Sequence, residues 1–274
     1  MKQSPSSQFI TIDGKSLEYA WHGPPPDEAP TLIFLHEGLG CVAMWRDFPV
    51  TLADATGCGA LIYSRTGYGQ SDPCELPRAV TFQHDEAVTV LPALIDAFEI
   101  RDAILVGHSD GGTIALIYAA SAHGQTLRGV ITEAAHVFNE AVCVASIEDA
   151  VELYEETDLR AKLSRYHKNV DVAFRGWADV WLHPDYRDWN MEEWLSQIKV
   201  PLLAIQGEKD QYGTVSQLRS IGTRAGGPTE TLLLADCRHV PHVEQREQTL
   251  AAMKRFIDQL LFNLNGNRSA SPAD

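Results

Sequence analysis

No run of eighteen or more apolar residues occurs among the 274, so the chain offers no candidate membrane span. The opening MKQSPSSQFITIDG has one lysine and lacks the apolar stretch of a secretory leader, and a cytoplasmic protein is expected. Cysteine is sparse and unpatterned: Cys41, Cys58, Cys74, Cys143 and Cys237 are odd in number and form no CxxC pair. That argues against a disulfide framework and a zinc knuckle, and no metal is expected. Basic residues are outnumbered, 22 Lys and Arg against 37 Asp and Glu, for a formal charge of -15. A surface of that sign repels phosphate backbones, so no nucleic-acid partner is expected. The plain meaning of the charge is solubility; the sharper one is that some carboxylates line a pocket for cationic or amine-bearing substrates. GYGQSD (67–72) lacks the glycine spacing of a dinucleotide fingerprint, and no organic cofactor is expected.

What is present suits one soluble domain with room for an inserted subdomain, 45% of its residues being hydrophobic and 22% charged. Around Asp13-Gly14, FITIDGKSLEYAWHG (9–23) alternates apolar and polar residues as a hairpin does. After a proline-rich turn (Pro24, Pro25, Pro26, Pro30), strands are expected in TLIFLH (31–36), GCGALIYSR (57–65), DAILVGHS (102–109), LRGVITEAA (127–135), VPLLAIQGEKD (200–210) and TETLLLADCRH (229–239). Helices are expected in HDEAVTVLPALIDAF (84–98, interrupted at Pro92), GGTIALIYAASAH (111–123) and EQTLAAMKRFIDQLL (247–261). Strands alternating with helices imply a mostly parallel sheet covered on both faces, with its site at the C-terminal strand ends. Residues 137–197 break this rhythm: they read as helical and hold Trp177, Trp181, Trp189 and Trp194. The expected division is a core of 1–136 and 198–262, a helical cap of 137–197 roofing a pocket, and a disordered tail of 263–274.

Gly107-His108-Ser109-Asp110-Gly111 fits the G-x-S-x-G pattern between a strand and a helix, which marks Ser109 as a nucleophile held on a sharp turn. A serine hydroxyl needs a base. His239 follows the last core strand and is preferred, with His242 as the rival in RHVPHVEQ. Asp210, directly after a core strand in QGEKD, is the expected orienting acid, with Glu208 and Asp236 as alternatives. Oxyanion donors are expected from the backbone N–H groups of Asp110 and of Gly38 in HEGLG (36–40). Glu37, Asp110, Glu133, Trp177 and Trp181 are the candidate substrate-binding residues. For Glu37 and Glu133 the preferred reading is a bracing role, and for Arg65 it is pairing with an acidic loop side chain rather than a substrate carboxylate.

The ordered set LHEGLG (35–40), YSRTGYGQSD (63–72), GHSDGG (107–112), QGEKD (206–210) and CRHVPHVE (237–244) closely resembles the α/β-hydrolase superfamily over residues 9–262, nearest to its capped esterases, aminopeptidase-like hydrolases and carbon–carbon bond hydrolases. The resemblance implies a three-layer α/β fold with an inserted helical cap, and Ser–Asp–His chemistry for Ser109, Asp210 and His239. Glu37 departs from the commoner His-Gly start of the oxyanion loop. The Ser-Asp-Gly-Gly elbow is similar to that of human valacyclovir hydrolase, which implies recognition of a substrate amino group by Asp110. The leading expectation is a serine hydrolase of small carboxylic esters. Amino-acid ester or amide hydrolase, aminopeptidase, carbon–carbon hydrolase and lactonase are alternatives, and a noncatalytic small-molecule receptor is one of a different class. The oligomeric state is left open.

Overall fold

Asp13 and Gly14 both take left-handed φ, 48° and 75°, so a two-residue turn whose twist matches its strands joins β1 (Gln8–Ile12) to β2 (Lys15–His22). The structure, a computed structural model, describes residues 7–121 and 126–269. The hairpin forms one edge of an eight-stranded sheet ordered β1-β2-β4-β3-β5-β6-β7-β8, where β3 is Thr31–Leu35, β4 Gly59–Tyr63, β5 Ala103–His108, β6 Leu127–Glu133, β7 Leu202–Gly207 and β8 Thr229–Leu234. Only β2 runs against its neighbours; every other pairing is parallel.

The central strands are apolar at successive positions because both faces are covered. In β3, Ile33 and Leu35 pack with Leu91, Leu94, Ile114 and Ile117, from α3 (Leu91–Ala97) and α4 (Asp110–Ala120). Leu32 and Phe34 point the other way, onto Phe48 and Leu52 of α1 (Phe48–Thr56) and Met253, Phe256 and Ile257 of α11 (Arg246–Ser269). From β3 the chain goes to β4 on one side and later to β5 on the other. Such a reversal opens a crevice at the C-terminal strand ends, and the loops after β3 and β5 border it.

Between β6 and β7 the chain forms α5 (Ala141–Glu156), α6 (Leu159–Leu163), α7 (Val170–Trp181) and α8 (Glu192–Leu195). A third apolar cluster joins Ile147, Tyr154, Phe174, Trp177, Trp181 and Tyr186 of this segment to Phe82, with Tyr154 and Phe174 stacked at 3.7 Å. Met191, Leu195 and Ile198 belong instead to the sheet-covering cluster, so the segment has rejoined the core before the expected boundary at 197.

Four other details depart from expectation. Pro92 does not interrupt its helix: α2 (Phe82–Asp85) runs through a π turn (Glu86–Val90) directly into α3, so the irregular turn of the helix falls immediately before the residue that lacks an N–H. Three helices were not read from the sequence: α1, α9 (Val215–Arg224), whose Thr214 side chain caps it by accepting from the Ser216 N–H, and the short α10 (Pro241–Glu244). Residues 263–269, expected in a disordered tail, continue α11, while 270–274 lie outside the described residues. Of the helix expected at 111–123, α4 ends at Ala120, and Ala122 and His123 lie outside the described residues. Among the described residues no helix is long and apolar enough to cross a membrane.

Phe34 is fully buried and meets Trp45 edge-on at 5.3 Å. Phe34→Ala should cost about 3–5 kcal/mol, seen as a lower urea midpoint at unchanged m-value. A loss below about 1 kcal/mol would mean that this face is not closely packed.

Candidate active site

Ser109 stands between β5 and α4 with φ 54° and ψ −116°, a left-handed position that costs a non-glycine residue on the order of 1–3 kcal/mol. The turn is held by the Ser109 N–H donating to the Glu133 carbonyl at 2.8 Å. Its tightness explains the glycines: a Cβ on Gly111 would run into the Leu35 carbonyl, and one on Gly107 into the carbonyl of Gly111. The Ser109 hydroxyl lies 3.0 Å from Nε2 of His239, and Nδ1 of His239 lies 2.8 Å from Oδ1 of Asp210.

Asp210 is fixed independently of the histidine. Its Oδ1 accepts from the N–H groups of Tyr212 (2.8 Å) and Gly213 (3.3 Å), and its Oδ2 from Gln206 Nε2 at 2.6 Å. Burial pushes this carboxyl up, but the charge and hydrogen bond of His239 and the Tyr212 N–H outweigh it and leave it below its ordinary value. A hydroxyl on an imidazole whose far nitrogen meets a buried carboxylate can pass its proton to that ring as the oxygen attacks. Of the rival residues, His242 makes its contacts elsewhere: its N–H and Nδ1 meet Glu133 Oε2 at 2.8 and 3.1 Å, and its ring packs on Trp45. Asp236 pairs at the surface with Lys209 at 2.6 Å.

Behind the loop after β3 lies Arg65, fully buried. Its guanidinium donates to the carbonyls of His36 and Glu37, its N–H donates to His36 Nε2 at 3.0 Å, and its Nη2 faces Asp110 Oδ2 at 3.7 Å. Asp110 Oδ1 in turn accepts from Gln83 Nε2 (3.0 Å) and Trp181 Nε1 (3.1 Å). Glu37 reaches sideways to His108, Oε2 to Nδ1 at 3.4 Å, while His108 Nε2 lies 2.7 Å from the His239 carbonyl. Burial works against both charges of this pair. The contact nevertheless holds Glu37 well below the carboxylate range and raises His108 to about 9.

The pocket beside Ser109 has a volume of about 100 Å³. Leu39, Cys143, Ile147, Trp177 and Trp181 give it apolar walls, and Glu37, His136, Tyr212 and His239 supply polar groups. Gly38 lines it, with the Trp177 indole so close that no side chain would fit there. The Asp110 N–H opens α4, where a helix has no internal acceptor. Glu37, Trp177 and Trp181, named above as candidate substrate-binding residues, line this pocket. Asp110 and Glu133 do not: their side chains, almost fully buried, are absent from the pocket wall, one held by Gln83, Trp181 and Arg65 and the other by His242. Sequence reasoning missed His136. Its one signal was a polar residue just past the end of β6.

The His108–Glu37 pair has a pH signature. Because the folded pKa of His108, about 9, lies above the ordinary 6.5, its contribution is full below pH 6.5 and is lost as pH rises through about 9. Raising the pH from 6 to 9.5 should cost the wild type more unfolding free energy than Glu37→Gln, by on the order of 3 kcal/mol at about 1.4 per pKa unit. Parallel urea-derived stability curves for the two proteins would refute the pairing.

The family model described as the alpha/beta hydrolase family matches residues 32–252. The AB hydrolase superfamily protein YisY of Bacillus subtilis (strain 168) is 24% identical over 214 residues, covering 69% of this chain and 78% of its own. A proline iminopeptidase of Saccharolobus solfataricus is 25% identical over 280 residues, covering 85% of this chain and 86% of its own. Among solved structures, a bacterial membrane phospholipase A described as a virulence factor shares the fold at TM-score 0.74 and 22% identity, over 94% of this chain and 87% of that one. With more than half its length matched by the family model, and with the sheet order and the strand–turn–helix elbow above, this chain belongs to the alpha/beta hydrolase family.

Proposed function

We propose that this hydrolase cleaves a small carboxylic ester through an acyl-enzyme on Ser109. The observation that carries the reading is the hydrogen-bonded line from Ser109 Oγ through His239 to Asp210, opening on a small and largely apolar pocket. His239 takes the Ser109 proton as Oγ attacks the carbonyl carbon, and the backbone N–H groups of Asp110 and Gly38 receive the developing oxyanion. His239 then gives that proton to the departing alkoxide oxygen. In the second half it takes a proton from water, whose oxygen attacks the acyl carbon, and returns it to Ser109 as the acid leaves. Asp210 keeps Nδ1 protonated and balances the imidazolium.

The pocket volume argues for a short acyl group, since a cavity of roughly 150 Å³ is what benzene occupies in a protein interior. Hydrolysis of amino-acid esters or amides is the second reading, favoured by the proline iminopeptidase relative. Its recognition of an amine would fall to Glu37, the carboxylate on the pocket wall, and not to Asp110.

Ser109→Ala should abolish hydrolysis of short esters and adduct formation with a fluorophosphonate, read by mass spectrometry. Asp210→Asn should keep the fold and lower kcat by about 10⁴. Turnover by Ser109→Ala at wild-type rate would defeat the proposal.

Asp110→Asn should leave unchanged the ratio of kcat/KM for a free-amine ester over its N-capped analogue. A tenfold drop in that ratio would restore Asp110 to substrate recognition.

A further inference from the structure

His136 sits just past the end of β6, 2% exposed, on the wall of the Ser109 pocket. Its backbone is pinned to α4 on both sides: Thr113 Oγ1 donates to its carbonyl at 2.7 Å and accepts from its N–H at 3.2 Å. Its ring meets Trp181 edge-on at 5.1 Å and stands 5.9 Å from the His239 ring. The imidazole has no hydrogen-bond partner among the described residues, and Nδ1 is sealed from solvent. Gln206, His108 and Glu133, which shape the line from Ser109 to Asp210, each have at least one side-chain hydrogen bond, although His108 Nδ1 and Glu133 Oε1 are left over, whereas the His136 ring has none among the described residues. A buried polar group with nothing to bond costs free energy, and one held rigidly against a binding pocket recovers it only from what enters.

We propose that His136 selects the acyl group: it hydrogen-bonds a hydroxyl or keto oxygen one or two carbons from the scissile carbonyl, making short oxygenated acyl esters the substrate class. The inference rests on the reading of Ser109 as nucleophile. The ring is suited to oxygen rather than to an ammonium. Burial and the neighbouring charge of His239 hold His136 down at about 3, so it remains a neutral ring with one donor and one acceptor throughout the working pH range. A hydroxyl can use both, and a keto oxygen can use the donor. An ammonium at that place would be repelled at the moment His239 becomes imidazolium.

The test compares ethyl lactate with ethyl isobutyrate, in which a methyl replaces the hydroxyl, and ethyl pyruvate as the keto case, in the wild type, His136→Leu and His136→Asn. Intrinsic ester reactivity cancels when each substrate ratio is compared between proteins. The lactate-to-isobutyrate ratio of kcat/KM should fall at least about tenfold in His136→Leu, and His136→Asn should restore part of it. The ratio should stay flat between pH 6 and 9. His136→Leu should unfold no more easily than the wild type, because it removes an unpartnered polar group. An unchanged ratio, or a lowered stability with an unchanged ratio, overturns the role of His136. Fluorophosphonate labelling of Ser109 in all three proteins then shows that the nucleophile reading stands; absence of labelling and turnover in the wild type overturns both.

Discussion

A guanidinium with no access to water organises the site. Arg65 is fully buried, and a charge so placed persists only if its donors find acceptors, because the cost of dehydrating it is several kcal/mol (roughly, for any buried ion). The acceptors it finds are the two carbonyls that begin the loop after β3, and the carboxylate it faces is Asp110, the residue after Ser109. Asp110 passes the constraint on to Gln83 and to Trp181 of the helical segment. Three pieces of chain distant in sequence thus share one buried charge balance. The loop conformation, the elbow and the pocket roof are coupled through it, so none can shift alone without stranding a polar group.

The remaining acids and histidines around Ser109 follow the same logic. Glu133 anchors His242, and Glu37 meets His108, whose other nitrogen reaches the backbone of His239. These pairs hold the His239 loop from behind, while Ser109 and His239 face the pocket. Charge that looked like an inventory of possible substrate ligands is largely spent on bracing.

Legibility in the sequence followed how local the chemistry was. The turn at Asp13-Gly14, the elbow glycines and the positions of Asp210 and His239 after core strands could be read because each depends on a few neighbouring residues and on strand order. The pairing of Arg65 with an acid was also legible in kind. The choice of partner was not, since Asp110 and Arg65 meet only after β4 and β5 flank β3. Glu133 and His108 are register partners on adjacent strands, a relation that no one-dimensional pattern displays. His136 carried no motif at all; its significance is that it lacks a bond, which only the packed structure reveals.

The contact of the Trp177 indole with Gly38 sets a condition on traffic as well as on shape. The same indole lines the Ser109 pocket, so in the reaction proposed above it would bound the space that a leaving group vacates. For that reaction, dryness during chemistry and escape afterwards would be opposed demands on one ring. A tighter contact there would trade speed of release for protection of an acylated Ser109 from stray nucleophiles.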